Sequence, residues 1–285
     1  MFREGNYEGK QPLLYLVATP IGNLGEFSLR AQNTLKEMDY IACEDTRNSG
    51  LLFSKFEIKK PLISCHEHNE EEAANKIISL LKEGKKIAYV SDAGYPTVSD
   101  PGCRLVKRAI KENIKVAVIN GPSASICALA ASGLDTSHYY FEGFLPAKAS
   151  EMSRELNELK ERKETIIFYE SPHRIGKTLL ALANSFGKDR EACLARELTK
   201  IHEEYIHATL GELADIEPET LLGEMVIVVA GKTKNDKEMS DEDIKSLLCQ
   251  YTKTMKSKEA IAKIVKENAI PKNRVYDLFL SLKKD

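Results

Sequence analysis

In the first 120 residues, short apolar runs rich in β-branched side chains alternate with amphipathic stretches of helix length. The runs fall at 13–18, 40–43, 62–64, 87–91 and 116–120, the amphipathic stretches at 29–37, 47–56, 70–83 and 104–112. This β-α-β-α order predicts a parallel sheet covered by helices, an α/β fold. In such sheets ligands sit beyond the carboxyl ends of the strands. Here those ends are rich in Pro, Gly, Ser and Asp, so the chemistry is expected in the loops after Ala18, Cys43, Ser91 and Asn120.

Behind Gly121-Pro122-Ser123 a small-residue helix is predicted over 124–132. A second α/β unit with a mixed sheet follows, with strands near 139–143, 165–169, 191–195, 204–208 and 224–230 and helices near 150–162 and 174–186. The polar stretch 232–240 is the best linker candidate. The tail then reads as three helices, 241–251, 257–268 and 272–282, with Ser257 a plausible cap and Pro271 at a helix start. A chain of 285 residues, at about 150 per domain, suggests two main domains. The division expected is 1–121, 122–232 and a helical extension over 240–285.

No stretch approaches the roughly 18 apolar residues of a membrane span. The start, MFREGN, has no apolar core behind a basic segment, so a cytoplasmic protein without a secretory signal is expected. Cysteines at 43, 65, 103, 127, 193 and 249 form no C-x-x-C and lie in or beside apolar segments, which predicts buried, reduced thiols. The net charge of −2 hides an asymmetry: from Lys232 onward 13 basic residues stand against 9 acidic ones. A basic tail on an acidic body suits an anionic partner, or is a solvated helix face.

Several familiar signatures are missing. No G-x-G-x-x-G follows a strand, and the Gly-Lys-Thr triplets at 176 and 231 lack the P-loop glycine five residues earlier, where Ser171 and Val226 stand. His202 and His207 are spaced five apart rather than four, so they are not a zinc-protease pair. Cys65-His66-Glu67-His68 holds ligand-type residues, but four neighbours cannot readily face one ion, and no metal is expected.

Four segments demand special backbone geometry. VATPIGNL follows the first strand, where Pro20 and Gly22 form a turn. SDAGYPTVSDPG, from Ser91 to Gly102, packs two Asp, two Gly and two Pro into twelve residues, as a loop does when it wraps a ligand with its backbone. Within it Asp92 suits a ribose hydroxyl or an amine, and Asp100 suits either a ligand or the cap of the next helix. NGPSAS opens a helix N-terminus against which a cofactor could lie, or is a simple capped helix. FYESPHR places Glu170, His173 and Arg174 at a strand end, types that suit proton transfer or phosphate binding. Glu44-Asp45-Thr46-Arg47 also ends a strand, and its two carboxylates suit either local capping or catalysis.

Taken together, VATPIGNLGEFSLRA, EDTR, SDAGYPTVSDPG, NGPSA and FYESPHR, in this order and spacing, resemble the ribosomal RNA small subunit methyltransferase I family of the tetrapyrrole methylase superfamily, the class III methyltransferases. The resemblance runs from about Leu13 to Gly231, and the tail resembles that family's C-terminal extension. It implies a two-domain tetrapyrrole methylase-like fold, S-adenosylmethionine folded into the cleft between the domains, and a homodimer. It also implies methyl transfer to the 2′-hydroxyl of a cytidine in the decoding centre of 16S rRNA in the 30S subunit. Matching positions make Pro20, Ala93, Gly94, Tyr95, Val98, Ser123, Ala124 and Glu170 cofactor-side residues, with Asp92 beside them. One departure stands out: tetrapyrrole enzymes read Gly-Asp-Pro where this chain has Gly94-Tyr95-Pro96.

A ribose hydroxyl is a poor nucleophile, so its attack needs alignment and a proton acceptor. The candidates are Glu44, Asp45, His66, His173 and Glu197, with Glu44 and Asp45 preferred because their strand end should face the site. Arg47 and Arg174 are better phosphate partners than bases, since guanidinium stays charged. In the tail, Ala260, Ile261, Ile264 and Val265 form one apolar stripe and Val275, Leu278 and Phe279 another, a helix-turn-helix-like pattern. Lys263, Lys266, Lys272 and Arg274 are its expected rRNA phosphate contacts. Two other functions compete. A porphyrinoid C-methyltransferase would share fold and cofactor, but the motif variants and basic tail argue against it. A non-catalytic RNA-binding assembly protein would fail to bind S-adenosylmethionine.

Overall fold

The computed structural model describes residues 14–232, 241–253, 255–268 and 270–282. The segment read for a secretory signal and the linker candidate beyond Lys232 lie outside them. The chain divides into two compact units. One comprises the residues up to Cys127 together with Glu197–Glu204; the other comprises Ala128–Arg196 and the residues from Tyr205 on.

The first unit holds strands β1 (Leu14–Val17), β2 (Tyr40–Cys43), β3 (Leu62–Ser64), β4 (Ile87–Val90) and β5 (Val116–Ile119). Helices α1 (Leu29–Lys36), α2 (Thr46–Lys55), α3 (Glu70–Lys82) and α4 (Cys103–Lys111) connect them, and α5 (Ala124–Ala131) follows β5. The sheet runs β3-β2-β4-β1-β5, all pairs parallel. Every residue of β4 is buried because both faces of the sheet are covered. Its side chains alternate between two cores: Ile87 and Tyr89 pack with Ile77 of α3 and Leu105 of α4. Ala88 and Val90 pack with Leu35 of α1 and Phe53 of α2. The chain leaves β1 for β2 on one side and returns to β5 on the other, which opens a crevice at the carboxyl ends.

The second unit holds β6 (Tyr139–Phe144), α6 (Ala149–Leu159), β7 (Thr165–Glu170), α7 (Ile175–Phe186), β8 (Glu191–Arg196), β9 (Glu204–Thr209), α8 (Leu210–Ala214) and β10 (Met225–Val229). Its sheet is mixed: β6 runs parallel to β7, and β10 runs antiparallel to both β7 and β8. Phe168, Leu179, Leu194, Leu210 and Ile227 meet in its core. In the tail, α9 (Asp241–Tyr251), α10 (Ser257–Asn268) and α11 (Lys272–Ser281) close on a core of their own. Ile261, Ile264, Val275 and Phe279 are buried there, with Ile244 and Leu248 of α9 between them.

The thiols depart from expectation at three positions, Cys127 being only half-buried. Cys43, Cys65 and Cys193 are buried, but Cys103 and Cys249 are exposed, on the outward faces of α4 and α9. Burial pushes the buried thiols up to about 11, which keeps them protonated and inert. No helix among the described residues is long and apolar enough to cross a membrane.

Candidate active site

Three strand-end loops of the first unit are tied into one piece. Thr19, just past β1, and Gly94, in the loop after β4, exchange both backbone hydrogen bonds, at 2.9 and 3.0 Å. The Thr19 hydroxyl donates to the Ser91 carbonyl at 3.2 Å. The Ser91 hydroxyl in turn donates to the carbonyls of Ala93 and Gly94, each at 3.3 Å. Gly94 holds φ at +74°, a conformation that L side chains avoid. The loop after β5 joins through Tyr95, whose hydroxyl donates to the Asn120 side-chain oxygen and accepts from the Gly121 amide at 3.2 Å. Gly121 sits so close to Ala18 that an added Cβ would stand 2.8 Å from the alanine methyl.

This surface is built largely of backbone and small residues. Pro20 is buried beneath it, and Ala93 and Val98 are exposed on it. Ser123 and Ala124 are half-buried where α5 begins, and the Ser123 hydroxyl lies 3.1 Å from that of Ser125.

The loop after β2 borders a polar pocket of about 430 Å³ lined by Glu44, Asp45, Thr46, Arg47, Ser64, His66 and Asp92. Asp92 is fixed by the Asn48 side-chain amide at 2.9 Å. The two adjacent carboxylates now separate. Glu44 is half-buried and its pKa is raised, by burial first and then by Asp92. Asp45 caps α2: it accepts from the Arg47 amide at 2.7 Å and pairs with the Arg47 guanidinium at 3.1 Å. Those hydrogen bonds hold its carboxyl below the usual range, which makes it a poor base. Since Asp45 is engaged in the helix cap, Glu44 is the stronger base candidate of the two. Beside it, His66 has a buried Nδ1 with no hydrogen-bond partner. Arg47 keeps 88% of its side chain exposed and can still meet a phosphate.

Asp100 does not cap α4. The amides of Gly102 and Arg104 donate instead to Glu70 of α3, at 3.1 and 3.2 Å. Asp100 is half-buried, and burial, reinforced by Glu44, pushes its carboxyl up to about 6. Among the described residues no group of three or more His, Cys, Asp or Glu is arranged to hold a metal ion.

FYESPHR lies at the end of β7 and the start of α7. The Glu170 carboxylate is wholly buried within the second unit, where it accepts from the Thr178 hydroxyl at 2.6 Å and the Ser171 amide at 2.8 Å. Arg174 lies 3.5 Å from it and donates to the Leu145 and Pro146 carbonyls at 2.8 and 3.3 Å. Glu170 and Arg174 thus hold partners within the second unit. His173 is exposed on that loop. Glu197 lies in the β8–β9 connection, 2.8 Å from the Lys200 ammonium.

In the tail, Arg274 pairs with Asp241 at 2.8 Å, which ties α11 to α9. The Lys263 ammonium sits over the Tyr251 ring at 4.6 Å. Lys272 is exposed, and the side chain of Lys266 lies outside the described residues. Sequence reasoning passed over Thr19, Asn48 and Glu70, whose roles are contacts across the fold that no local pattern announces.

A family model described as Tetrapyrrole (Corrin/Porphyrin) Methylases matches residues 13–214. A curated Bacillus subtilis protein named Ribosomal RNA small subunit methyltransferase I is 44% identical, over 97% of this chain and 98% of its own. Proteins of the same name from Haemophilus influenzae and Synechocystis are 42% and 41% identical, over 94% and 96% of this chain and 96% and 99% of theirs. Among solved structures, a cobalt precorrin-4 methyltransferase of cobalamin biosynthesis aligns with TM-score 0.57 at 17% identity, over 76% of this chain and 94% of that one. Diphthine synthase aligns with TM-score 0.57 at 17% identity, over 77% and 90%. These two share the fold.

Proposed function

The chain belongs to the ribosomal RNA small subunit methyltransferase I family, within the tetrapyrrole methylases, and is a methyltransferase; from that premise we propose that it methylates the ribose 2′-hydroxyl of a cytidine in the decoding centre of 16S rRNA, using S-adenosylmethionine. When bound, the cofactor supplies a methyl group already activated on a sulfonium. The chain's own work is to hold the ribose oxygen in line with that methyl and to take its proton.

Pro20, Ala93, Gly94, Tyr95, Val98, Ser123 and Ala124 form the holding surface, since small residues and pinned backbone let a large ligand approach closely. Asp92, fixed by Asn48, offers an acceptor at the pocket edge for a ribose hydroxyl or an amine. Glu44 takes the proton, and the observation that supports this most is its setting. The residue is half-buried, shares the pocket with Asp92, and has its carboxyl raised above its ordinary value, so it is a stronger base than a solvated carboxylate. His66, in the same pocket with an unpartnered ring nitrogen, holds the substrate or shares the proton. Arg47 at the rim meets a backbone phosphate, and Lys263 and Lys272 of the tail add phosphate contacts of their own. The enzyme acts in the cytoplasm as a homodimer.

The test supplies labelled S-adenosylmethionine and 30S subunits from cells lacking such an enzyme. Label at one cytidine, with the next phosphodiester resistant to alkali, is the expected result. Cofactor binding without label would put a porphyrinoid substrate in its place, and no cofactor binding would leave only an assembly protein.

A further inference from the structure

The connection between β8 and β9, with the first residue of β9 (Glu197–Glu204 together), belongs to the first unit although the rest of both strands belongs to the second. It reaches the loop that leaves β1. The Asn23 amide donates to the Thr199 hydroxyl at 3.0 Å. Gly22 lies against the same arm: an added Cβ would stand 2.5 Å from Cγ of Lys200 and 2.9 Å from Oγ1 of Thr199. Only a residue without a side chain lets arm and loop approach this closely.

The arm is held in its own shape by several bonds at once. Glu197 and Thr199 are not glycine, yet both have left-handed backbones, at φ +50° and +66°. Such conformations persist where surrounding contacts over-determine them. Here the Thr199 amide donates to the Glu203 carboxylate at 2.6 Å, and the Lys200 ammonium reaches Glu197 at 2.8 Å. The Lys200 and Glu203 amides close two further turns, at 3.0 and 3.1 Å. Glu197, considered from sequence as a proton acceptor, thereby has a structural task. The other end of the β1 loop is fixed by the Thr19–Gly94 pair. The arm fixes the end that pair does not reach.

We infer that Thr199 is a positioning residue for the cofactor: its hydroxyl holds Gly22-Asn23, and so keeps the Pro20 loop in the shape that binds. This rests on the proposed role of that loop. It differs from it in assigning a task to a segment 176 residues away in sequence.

The experiment uses the full-length protein as wild type, Thr199→Val and Thr199→Ser. Wild-type calorimetry with S-adenosylmethionine comes first; no binding there would sink the cofactor reading itself, and this inference with it. Given binding, Thr199→Val should raise Kd and KM for S-adenosylmethionine about threefold to tenfold, the range of one exposed hydrogen bond with its ordering effect. It should leave kcat at saturating cofactor unchanged. Thr199→Ser, which keeps the hydroxyl, should restore wild-type values. Hydrogen exchange at the Asn23 amide should quicken in Thr199→Val alone. A Val variant with wild-type KM and wild-type Asn23 exchange overturns the inference. So does one that loses kcat and thermal stability with KM unmoved, the mark of a merely structural role. Gly22→Ala gives a second route, since it displaces the arm without altering it; an unchanged KM there also contradicts the inference.

Discussion

Thr19 and Gly94 exchange both of their backbone hydrogen bonds, across 75 residues of sequence, and so join the ends of two neighbouring strands' loops. Gly94 can do this because its φ of +74° costs glycine nothing. Gly94→Ala would impose a left-handed backbone on a residue with a Cβ, at about 1–2 kcal/mol. Space is not the obstacle, since the nearest atom to that Cβ would be 3.5 Å away. The expected outcome is a lowered denaturation midpoint of that order with S-adenosylmethionine affinity reduced, read by chemical denaturation and calorimetry.

Glu170 and Thr178 give a prediction about stability alone. The 2.6 Å bond lies in the core of the second unit. Thr178→Val keeps the shape and removes the donor, leaving a buried carboxylate short of a partner at about 1–3 kcal/mol. Urea denaturation should show that loss, while cofactor affinity at the first unit's loops stays at the wild-type value.

Asp100 predicts a pH dependence of stability. Its folded-state carboxyl is pushed up to about 6, above the ordinary value of 3.8, so the native state holds its proton more tightly than the unfolded chain. Its contribution is therefore favourable in acid and is lost as pH rises through that window. Asp100→Asn should raise the melting temperature at neutral pH, and the difference should vanish below the ordinary Asp range. A constant difference at all pH values would contradict this.

The tail separates two cations that sequence treated alike. Lys272 is exposed, whereas Arg274 is paired with Asp241. Lys272→Ala should lower the slope of log affinity against log salt for rRNA by about 0.7–0.9, the value of one phosphate contact. Arg274→Ala should instead loosen α11 from α9, seen as faster amide exchange in both helices.

The strands of both sheets were legible because β-branched runs such as Ile227-Val228-Val229 and Ile87-Ala88-Tyr89-Val90 have no competing helical period. The five-residue α8 was passed over, although Thr209-x-x-Glu212 is a capping box that marks its start. The site was half legible. Glycine and proline placed its loops, but nothing local tells Glu44 from Asp45. One lies beside Asp92 under partial burial and the other is spent on a helix cap, and both facts depend on neighbours brought in by folding. The burial of Glu170 was hidden for the same reason: a carboxylate at a strand end is exposed or buried according to which helix packs there. Here Thr178 of α7 supplied the partner.

The central claim is that Glu44 takes the ribose proton, and the single-turnover methylation rate against pH, for wild type and Glu44→Gln, tests it most directly. The base must be ionised, so the wild-type rate should climb with pH through a pKa above the ordinary Glu range and then level off. Glu44→Gln should bind S-adenosylmethionine normally, turn over about 10²–10⁴ times more slowly, and lose that rising limb. A glutamine variant with the wild-type rate and the same limb would mean that the proton leaves by another route, and the account of this pocket would fall.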